Sequence, residues 1–272
     1  MSPPFPFRKF TENPPFYTFI SPSILCSRIS HFAFTNTHHQ MGQQEAKVQC
    51  SAIQIGDVNI RVSTEMTCLG VVLDSEIKLT TNVRRLAGRC FYYLQQLWVV
   101  RRSVTADVAK TLVNAFITSR VDYCHSMFNN INAVGILPLQ RVLNAAAHVI
   151  VRKYDHITAS IRDDLHWLPV RQRVEFKCRL VYKCLHQSAP SYLAAMCVNI
   201  DEMDGRRHLR SAAHGDLVKP TTRGRMYGQR SFAVAGPSIW NSLSSSLKDY
   251  LLAINEFQKK FKTELFRRAY AL

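Results

Sequence analysis

The chain has 272 residues, of which 47% are hydrophobic, enough apolar material for one sizeable core or two small ones. Its 35 Lys and Arg against 19 Asp and Glu give a formal charge of +16, which favours a polyanionic partner over a small neutral substrate. The 8 cysteines form no Cys-x-x-Cys and no short Cys/His cluster, so they read as reduced, mostly buried thiols, and no apolar run approaches the roughly 20 residues that span a bilayer.

Residues 1–48 are broken by Pro3, Pro4, Pro6, Pro14, Pro15 and Pro22 and then run through a Thr/His/Gln-rich stretch with little to bury, so disorder is expected there. Arg8, Lys9 and Arg28 in acid-poor surroundings suit a mitochondrial presequence, but the prolines spoil the amphipathic helix such a signal needs. A small β element is expected over 49–80. Ile53 and Ile55 alternate with their neighbours before Gly56-Asp57, and Val58, Ile60 and Val62 after it, which predicts a hairpin turning at Gly56. A third strand is expected over 68–73.

After Asp74 the period becomes helical. Thr81-Asn82 is the expected N-cap, Val83, Leu86, Cys90, Phe91, Leu94 and Trp98 the inward stripe, and Arg84, Arg85 and Arg89 fall off it. A helix over 105–123 would turn Val108, Leu112, Ala115 and Phe116 inward, and another over 137–151 would carry Pro138 in its first turn. Pro169 should open a helix to about 186 with Val170, Val174, Cys178, Val181 and Leu185 as its stripe and Arg171, Arg173, Lys177, Arg179 and Lys183 among them. Together these helices make a bundle over 81–187. Residues 188–236 read as an irregular basic connection, after which Pro237 starts a short helix with Ile239, Trp240 and Leu243, and a last helix runs over about 252–269. The expected fold class is mainly α, with a disordered N-terminus, a small β-hairpin or three-strand element, a helical bundle and C-terminal helices over 237–272.

Several ordered blocks along this series carry a resemblance. They are Cys68-Leu69-Gly70-Val71-Val72-Leu73-Asp74, Arg84-Arg85-Leu86-Ala87, Ser119-Arg120-Val121-Asp122-Tyr123-Cys124 and Asp164-Leu165-His166-Trp167-Leu168-Pro169-Val170. His208-Leu209-Arg210-Ser211-Ala212-Ala213 follows, then Tyr227-Gly228-Gln229-Arg230-Ser231-Phe232-Ala233-Val234-Ala235-Gly236-Pro237, ending in Trp240-Asn241-Ser242-Leu243. In this order they resemble the C-terminal region of the reverse transcriptases of jockey-like LINE, or non-LTR, retrotransposons, over about residues 52–272. The chain departs from that family at Ser244, where Pro is usual, and residues 1–48 match nothing in it.

The resemblance implies derivation from an RNA-directed DNA polymerase. Leu69, Gly70 and Val71 would be similar to the primer grip, and the helices after them to the thumb that holds the template–primer duplex. It also implies a chain cut off after the catalytic centre. Reverse transcription needs palm carboxylates holding two divalent metals, typically in an aromatic-x-Asp-Asp turn, and no such sequence occurs here. The adjacent Asp163-Asp164 sits between Ile161-Arg162 and Leu165-His166-Trp167 and reads as a helical or turn segment. Asp155, His156, Asp163, Asp164 and His166 could hold a metal only if they converged; surface and capping roles are preferred. There is no Gly-x-Ser-x-Gly elbow and no phosphate-binding Gly-x-x-x-x-Gly-Lys loop. No catalytic residue, metal or cofactor is assigned.

The candidates for contact with nucleic acid are Arg84, Arg85 and Arg89, then Arg171, Arg173 and Lys177, then Arg206, Arg207, Arg210, Arg223, Arg225 and Arg230. Each could neutralise a phosphate without reading sequence, and the alternative for each is an ordinary solvated surface. Lys259, Lys260, Lys262, Arg267 and Arg268 suit the C-terminal dipole of the last helix, and Trp98, Trp167 and Trp240 are expected in the core rather than against bases. Three readings stay open: a catalytically inactive polymerase fragment that binds RNA or DNA non-specifically, a decayed reading frame with no function, and a helical module that associates with itself or another protein through exposed apolar surface.

Overall fold

The computed structural model describes residues 52–55, 58–61, 63–75, 77–152, 156–177, 179–203, 214–222 and 228–270. The disorder expected over 1–48 therefore lies outside the described residues, as do Cys178, Arg206, Arg207, Arg210, Arg223 and Arg225. The described part is mainly α, with a small β element at its start.

That β element is two antiparallel hairpins. β1 (Ala52–Ile55) pairs with β2 (Val58–Arg61), Ile55 opposite Val58, as the alternation predicted, while Gly56, where the turn is expected, lies outside the described residues. The expected third strand over 68–73 is instead a second hairpin, in which β3 (Glu65–Cys68) pairs with β4 (Val71–Asp74) and Cys68 faces Val71. The chain reverses at Leu69 and Gly70, both with positive φ (50° and 79°), the signature of a tight turn matched to the twist of the strands. Val71 and Val72 on β4 are buried, whereas β3 carries Met66 60% exposed, so this hairpin has one wet strand and one dry one.

Helix α1 (Thr80–Val100) begins just before the residues expected to cap it: Leu79, fully buried with φ 61°, occupies the N-cap and makes no side-chain cap. Asn82 is used elsewhere. It is buried in the first turn, and its Oδ1 accepts from the Val72 amide at 3.0 Å, fastening β4 to the helix. Val83, Cys90 and Leu94 lie on the inward stripe as the period predicted, joined by the buried Ala87, whereas Leu86 is half-buried and Phe91 and Trp98 are 39% and 40% exposed, at the edges of the stripe rather than on it.

Helix α2 (Ala106–Val113) is capped by Thr105, whose side chain accepts from the Val108 amide, and continues through a π-helical turn over 114–118 into a last turn at Ser119–Val121. Its buried face is Ala109, Val113, Ile117 and Val121, and the residues expected inward, Val108, Ala115 and Phe116, are exposed. A strict four-residue spacing drifts around an ordinary helix of 3.6 residues per turn; the wider π turn takes up the extra residue and keeps the line facing the core.

Helix α3 (Ala133–Val151) starts four residues earlier than expected, because Asn132 caps it by accepting from the Gly135 amide at 2.8 Å. Pro138 is thus past the first turn and is carried inside the helix. With 19 apolar-rich residues, α3 meets the length and composition of a membrane-crossing helix, which corrects the expectation that no run approaches that size. In this fold Leu139, Val142, Leu143, Ala146 and Ala147 are buried against α1 and α2, as in the core helix of a globular domain.

After a π-helical turn at Ser160–Asp164, Pro169 stands at the N-cap of α4 (Val170–Phe176), which ends at Lys177, and α5 (Arg179–Leu185) follows. α6 (Ser191–Ala194) and α7 (Phe232–Asn241) come next, then α8 (Ile254–Tyr270). Pro237, expected to open a helix, is buried in the middle of α7, which starts from Ser231. The apolar residues collect in two cores. The first joins β4, α1, α2, α3 and the inner face of α4. The second joins Leu168, α5, α6, α7 and α8 around Tyr182, Trp240, Phe257 and Phe261. Trp167 and Trp240 are buried as expected, one in each core. The two cores meet along Leu168–Phe176 and are tied across it, where the Tyr270 hydroxyl donates to the Trp167 carbonyl at 2.9 Å and Arg230 donates to the Ile77 carbonyl at 2.5 Å.

Candidate nucleic-acid interface

Helix α1 carries the strongest candidate surface. Its 21 residues include Arg84, Arg85 and Arg89 and no acidic residue. Arg85, Gly88, Arg89, Tyr92, Gln96 and Val99 recur at three- and four-residue steps, so they share one side of the helix, and all are exposed. Arg84 and Gln95 flank this face. From Arg85 to Val99 it runs about 21 Å at the usual rise per residue. Tyr92, 53% exposed, offers a ring on the same side as the guanidiniums, the combination that suits a backbone phosphate beside an unstacked base.

The second hairpin borders this face. Arg85 Nη2 lies 2.7 Å from Glu65 Oε2 on β3, a solvent-accessible pair with side chains 51% and 36% exposed, which contributes little to stability. Among the described residues no carboxylate lies within ion-pair distance of Arg84 or Arg89. The turn residue Leu69 is 51% exposed, and its carbonyl accepts from the Tyr123 hydroxyl at 2.7 Å. Gly70 stands with open space around it, since a side chain there would meet nothing closer than Tyr123 at 4.0 Å; its positive φ, not crowding, favours glycine. Val71 is buried and anchors the turn from below.

The remaining candidates divide sharply. Arg171 is 74% exposed and only 3.9 Å from Glu175, a loosely held surface cation. Arg173 points inward: Nη1 lies 3.1 and 3.0 Å from the two Asp122 carboxylate oxygens, Nε donates to the Leu168 carbonyl at 2.9 Å, and the guanidinium lies over the Trp167 ring. Its donors are committed to the junction of the two cores, which corrects its expectation as a phosphate contact. Arg230 is likewise turned inward to the Ile77 carbonyl. Lys177 lies away from α1, on the wall of a cavity between α4, α5 and α8. The structure therefore gathers Arg84, Arg85 and Arg89 on one side of α1, bordered by Glu65 on β3, whereas the Leu69–Gly70 turn at the other end of that hairpin is held by Tyr123, and it does not bring Arg171, Arg173, Lys177 or Arg230 to that face.

Asp163, weighed above as a metal ligand, accepts from Arg162 Nε at 2.7 Å, and this neighbouring guanidinium holds its carboxyl below the ordinary carboxylate range. Among the described residues no three His, Cys, Asp or Glu side chains converge as a metal site. The described cysteines are free thiols, four buried and Cys68 half-buried.

Two buried polar residues escaped the sequence reading. Arg101 is 7% exposed, and Nε and Nη2 each donate at 2.7 Å to the carbonyls of Val149 and Ile150 at the end of α3. His125 is 3% exposed; Nε2 lies 2.9 Å from the Arg173 carbonyl, and burial drives its pKa down to about 4. No periodicity marks either, because each lies in a short connection whose partners are 48 residues away.

Comparison with protein-family models, with curated proteins and with solved structures finds no match to the chain in any of the three.

Proposed function

We propose that the chain is the primer-grip and thumb portion of a jockey-like non-LTR reverse transcriptase that binds RNA or DNA without regard to sequence and does not extend a primer. The observation that carries this reading is the outer face of α1, a helix with no acidic residue of its own, on which Arg84, Arg85, Arg89 and Tyr92 are exposed and, among the described residues, only Arg85 meets a carboxylate, Glu65 on β3. Three guanidiniums within two turns of helix can follow a phosphate backbone, and the binding they provide is electrostatic and salt-dependent. The missing chemistry agrees with it: the sequence contains no aromatic-x-Asp-Asp. A fluorescence-anisotropy titration of the chain against a labelled RNA/DNA hybrid, run with a primer-extension assay in Mg²⁺ and Mn²⁺, tests the reading. Binding at low salt without extension supports it; extension, or no binding at low salt, overturns it.

A second reading, self-association, is favoured by the apolar corner where α1 ends and α2 begins. Val99 is 73% exposed, and Trp98, Val100 and Val108 are each at least 40% exposed. Sedimentation over a range of protein concentration separates the two, since self-association shifts with protein and salt-sensitive nucleic-acid binding does not require it.

A further inference from the structure

The cavity between α4, α5 and α8 has a chemistry that the α1 face does not share. Its free volume is about 300 Å³, at the small end of ligand pockets. Lys177 and Arg179, from the junction of α4 and α5, and Lys262 on α8 line it, and among the described residues none of the three is in an ion pair. The one carboxylate on the wall, Asp122, is already neutralised by Arg173 at 3.0 Å. The cavity therefore presents three cations without a carboxylate partner, of which Arg179 lies over the Phe176 ring and Lys262 over the Phe266 ring.

Its inner wall is held rigidly. Arg173 reaches the Leu168 carbonyl and lies 5.6 Å from the Trp167 ring centre, while the Tyr270 hydroxyl holds the Trp167 carbonyl, so Trp167 and Phe176 form a fixed apolar side. His125 lines the same cavity with a side chain 4% exposed. Because its Nε2 faces the Arg173 carbonyl, which can only accept, that nitrogen carries the proton and Nδ1 is a bare acceptor. Nδ1 has no hydrogen-bond partner, and the Asp122 oxygen 3.6 Å away is another acceptor beyond hydrogen-bond reach. A buried acceptor without a hydrogen bond loses its hydration with nothing in return, so a ligand donor would be favoured there.

We propose that this cavity binds a small phosphate monoester whose body carries a hydroxyl or amino donor, such as a nucleoside 5′-monophosphate. The phosphate, with close to two negative charges, takes the Lys177, Arg179 and Lys262 side. The body lies along Trp167 and Phe176 and donates to His125 Nδ1. A bare inorganic anion satisfies the first requirement but leaves His125 unpartnered. The assignment does not rest on the nucleic-acid reading of α1, and the same terminal phosphate can come from a free nucleotide or from the 5′ end of an oligonucleotide.

The test is calorimetric titration of the full chain at constant ionic strength with adenosine 5′-monophosphate, adenosine and inorganic phosphate, repeated on Lys177→Ala, Lys262→Glu and the surface control Arg267→Ala. The proposal expects the monophosphate to bind at least tenfold more tightly than either other probe. It also expects Lys177→Ala and Lys262→Glu each to weaken that binding at least fivefold while Arg267→Ala leaves it unchanged. Lys262 is exposed, so its variant keeps the test open if another fails to fold. Displacement by a 5′-phosphorylated but not a 5′-hydroxyl oligonucleotide assigns the site to a chain end; displacement by neither assigns it to a free nucleotide. Equal affinity for inorganic phosphate, indifference to both lysine variants, or displacement by both oligonucleotides alike overturns the proposal.

Discussion

Arg101 donates from Nε to the Val149 carbonyl at 2.7 Å, so a residue that follows the first helix closes the end of the third. Its Nη1 and Nη2 reach the Val104 and Ile150 carbonyls, and among the described residues no carboxylate pairs with it. A buried guanidinium is tolerated here because three carbonyls and the negative end of α3 replace water. Arg101→Ala removes the donors and strands the carbonyls. We expect a loss of about 2–4 kcal/mol in urea unfolding, with Arg101→Lys intermediate; a loss under about 1 kcal/mol in the Ala variant would show that the cap is ornamental.

His125 sets a pH dependence. Its folded pKa, about 4, lies below the unfolded value of 6.5, chiefly because burial disfavours the imidazolium and despite the attraction of Asp122. Between these values the unfolded chain binds the proton and the folded chain does not, so stability falls as pH drops from about 6.5 towards 4 and loses no more from this group below that. The full loss is on the order of 3 kcal/mol. Thermal unfolding of the parent and His125→Asn at pH 7 and pH 5 isolates it from the carboxylates: the parent should lose more stability than the variant over this interval. Equal losses would remove His125 as the cause.

Leu69 is a large apolar residue held at φ 50° in the second hairpin turn, where a left-handed conformation costs an L-residue about 1–2 kcal/mol. Leu69→Asn gives the turn its preferred Asn-Gly pair and should stabilise the chain by about 1 kcal/mol. If the exposed leucine contacts nucleic acid, the same change should weaken hybrid binding at least twofold. Stabilisation with unchanged affinity would leave Leu69 as strain without a role in binding.

Cysteine reactivity should follow burial. Cys90 is fully buried and its thiol is pushed up to about 11, so at pH 8 only about one molecule in a thousand carries the thiolate there. Cys68, half-buried on β3, should be alkylated first among the described thiols, and Cys90 only after denaturant is added. Peptide mass spectrometry after a short maleimide pulse reads both; early labelling of Cys90 contradicts the packing of α1.

Much of the fold was legible because apolar residues keep to a period wherever a helix is regular. Val83, Cys90 and Leu94 declared the inner face of α1, and alternation about 56–57 declared the first hairpin. Legibility failed where local geometry departs from the regular period. The π turn over 114–118 moved the buried face of α2 to Val113 and Ile117, and Pro138 and Pro237 were carried inside helices although their residue type suggested starts. The Leu69–Gly70 turn was hidden inside an apolar run because leucine seldom takes a positive φ. For the candidate site, charge alone could not distinguish Arg84 and Arg89, which face outward, from Arg101 and Arg173, whose guanidiniums satisfy carbonyls and a carboxylate far away in the chain.

The most direct test of the central claim is the salt dependence of hybrid binding by the parent chain and by Arg84→Glu/Arg85→Glu/Arg89→Glu, measured by anisotropy from low to physiological salt. These side chains are exposed, so unfolding should change little. The account predicts that the triple variant loses at least tenfold in affinity at low salt and that its log–log salt slope is shallower by about 2–3, as expected when three phosphate contacts are lost. An unchanged affinity and slope would place nucleic-acid binding elsewhere and contradict the assignment of the α1 face.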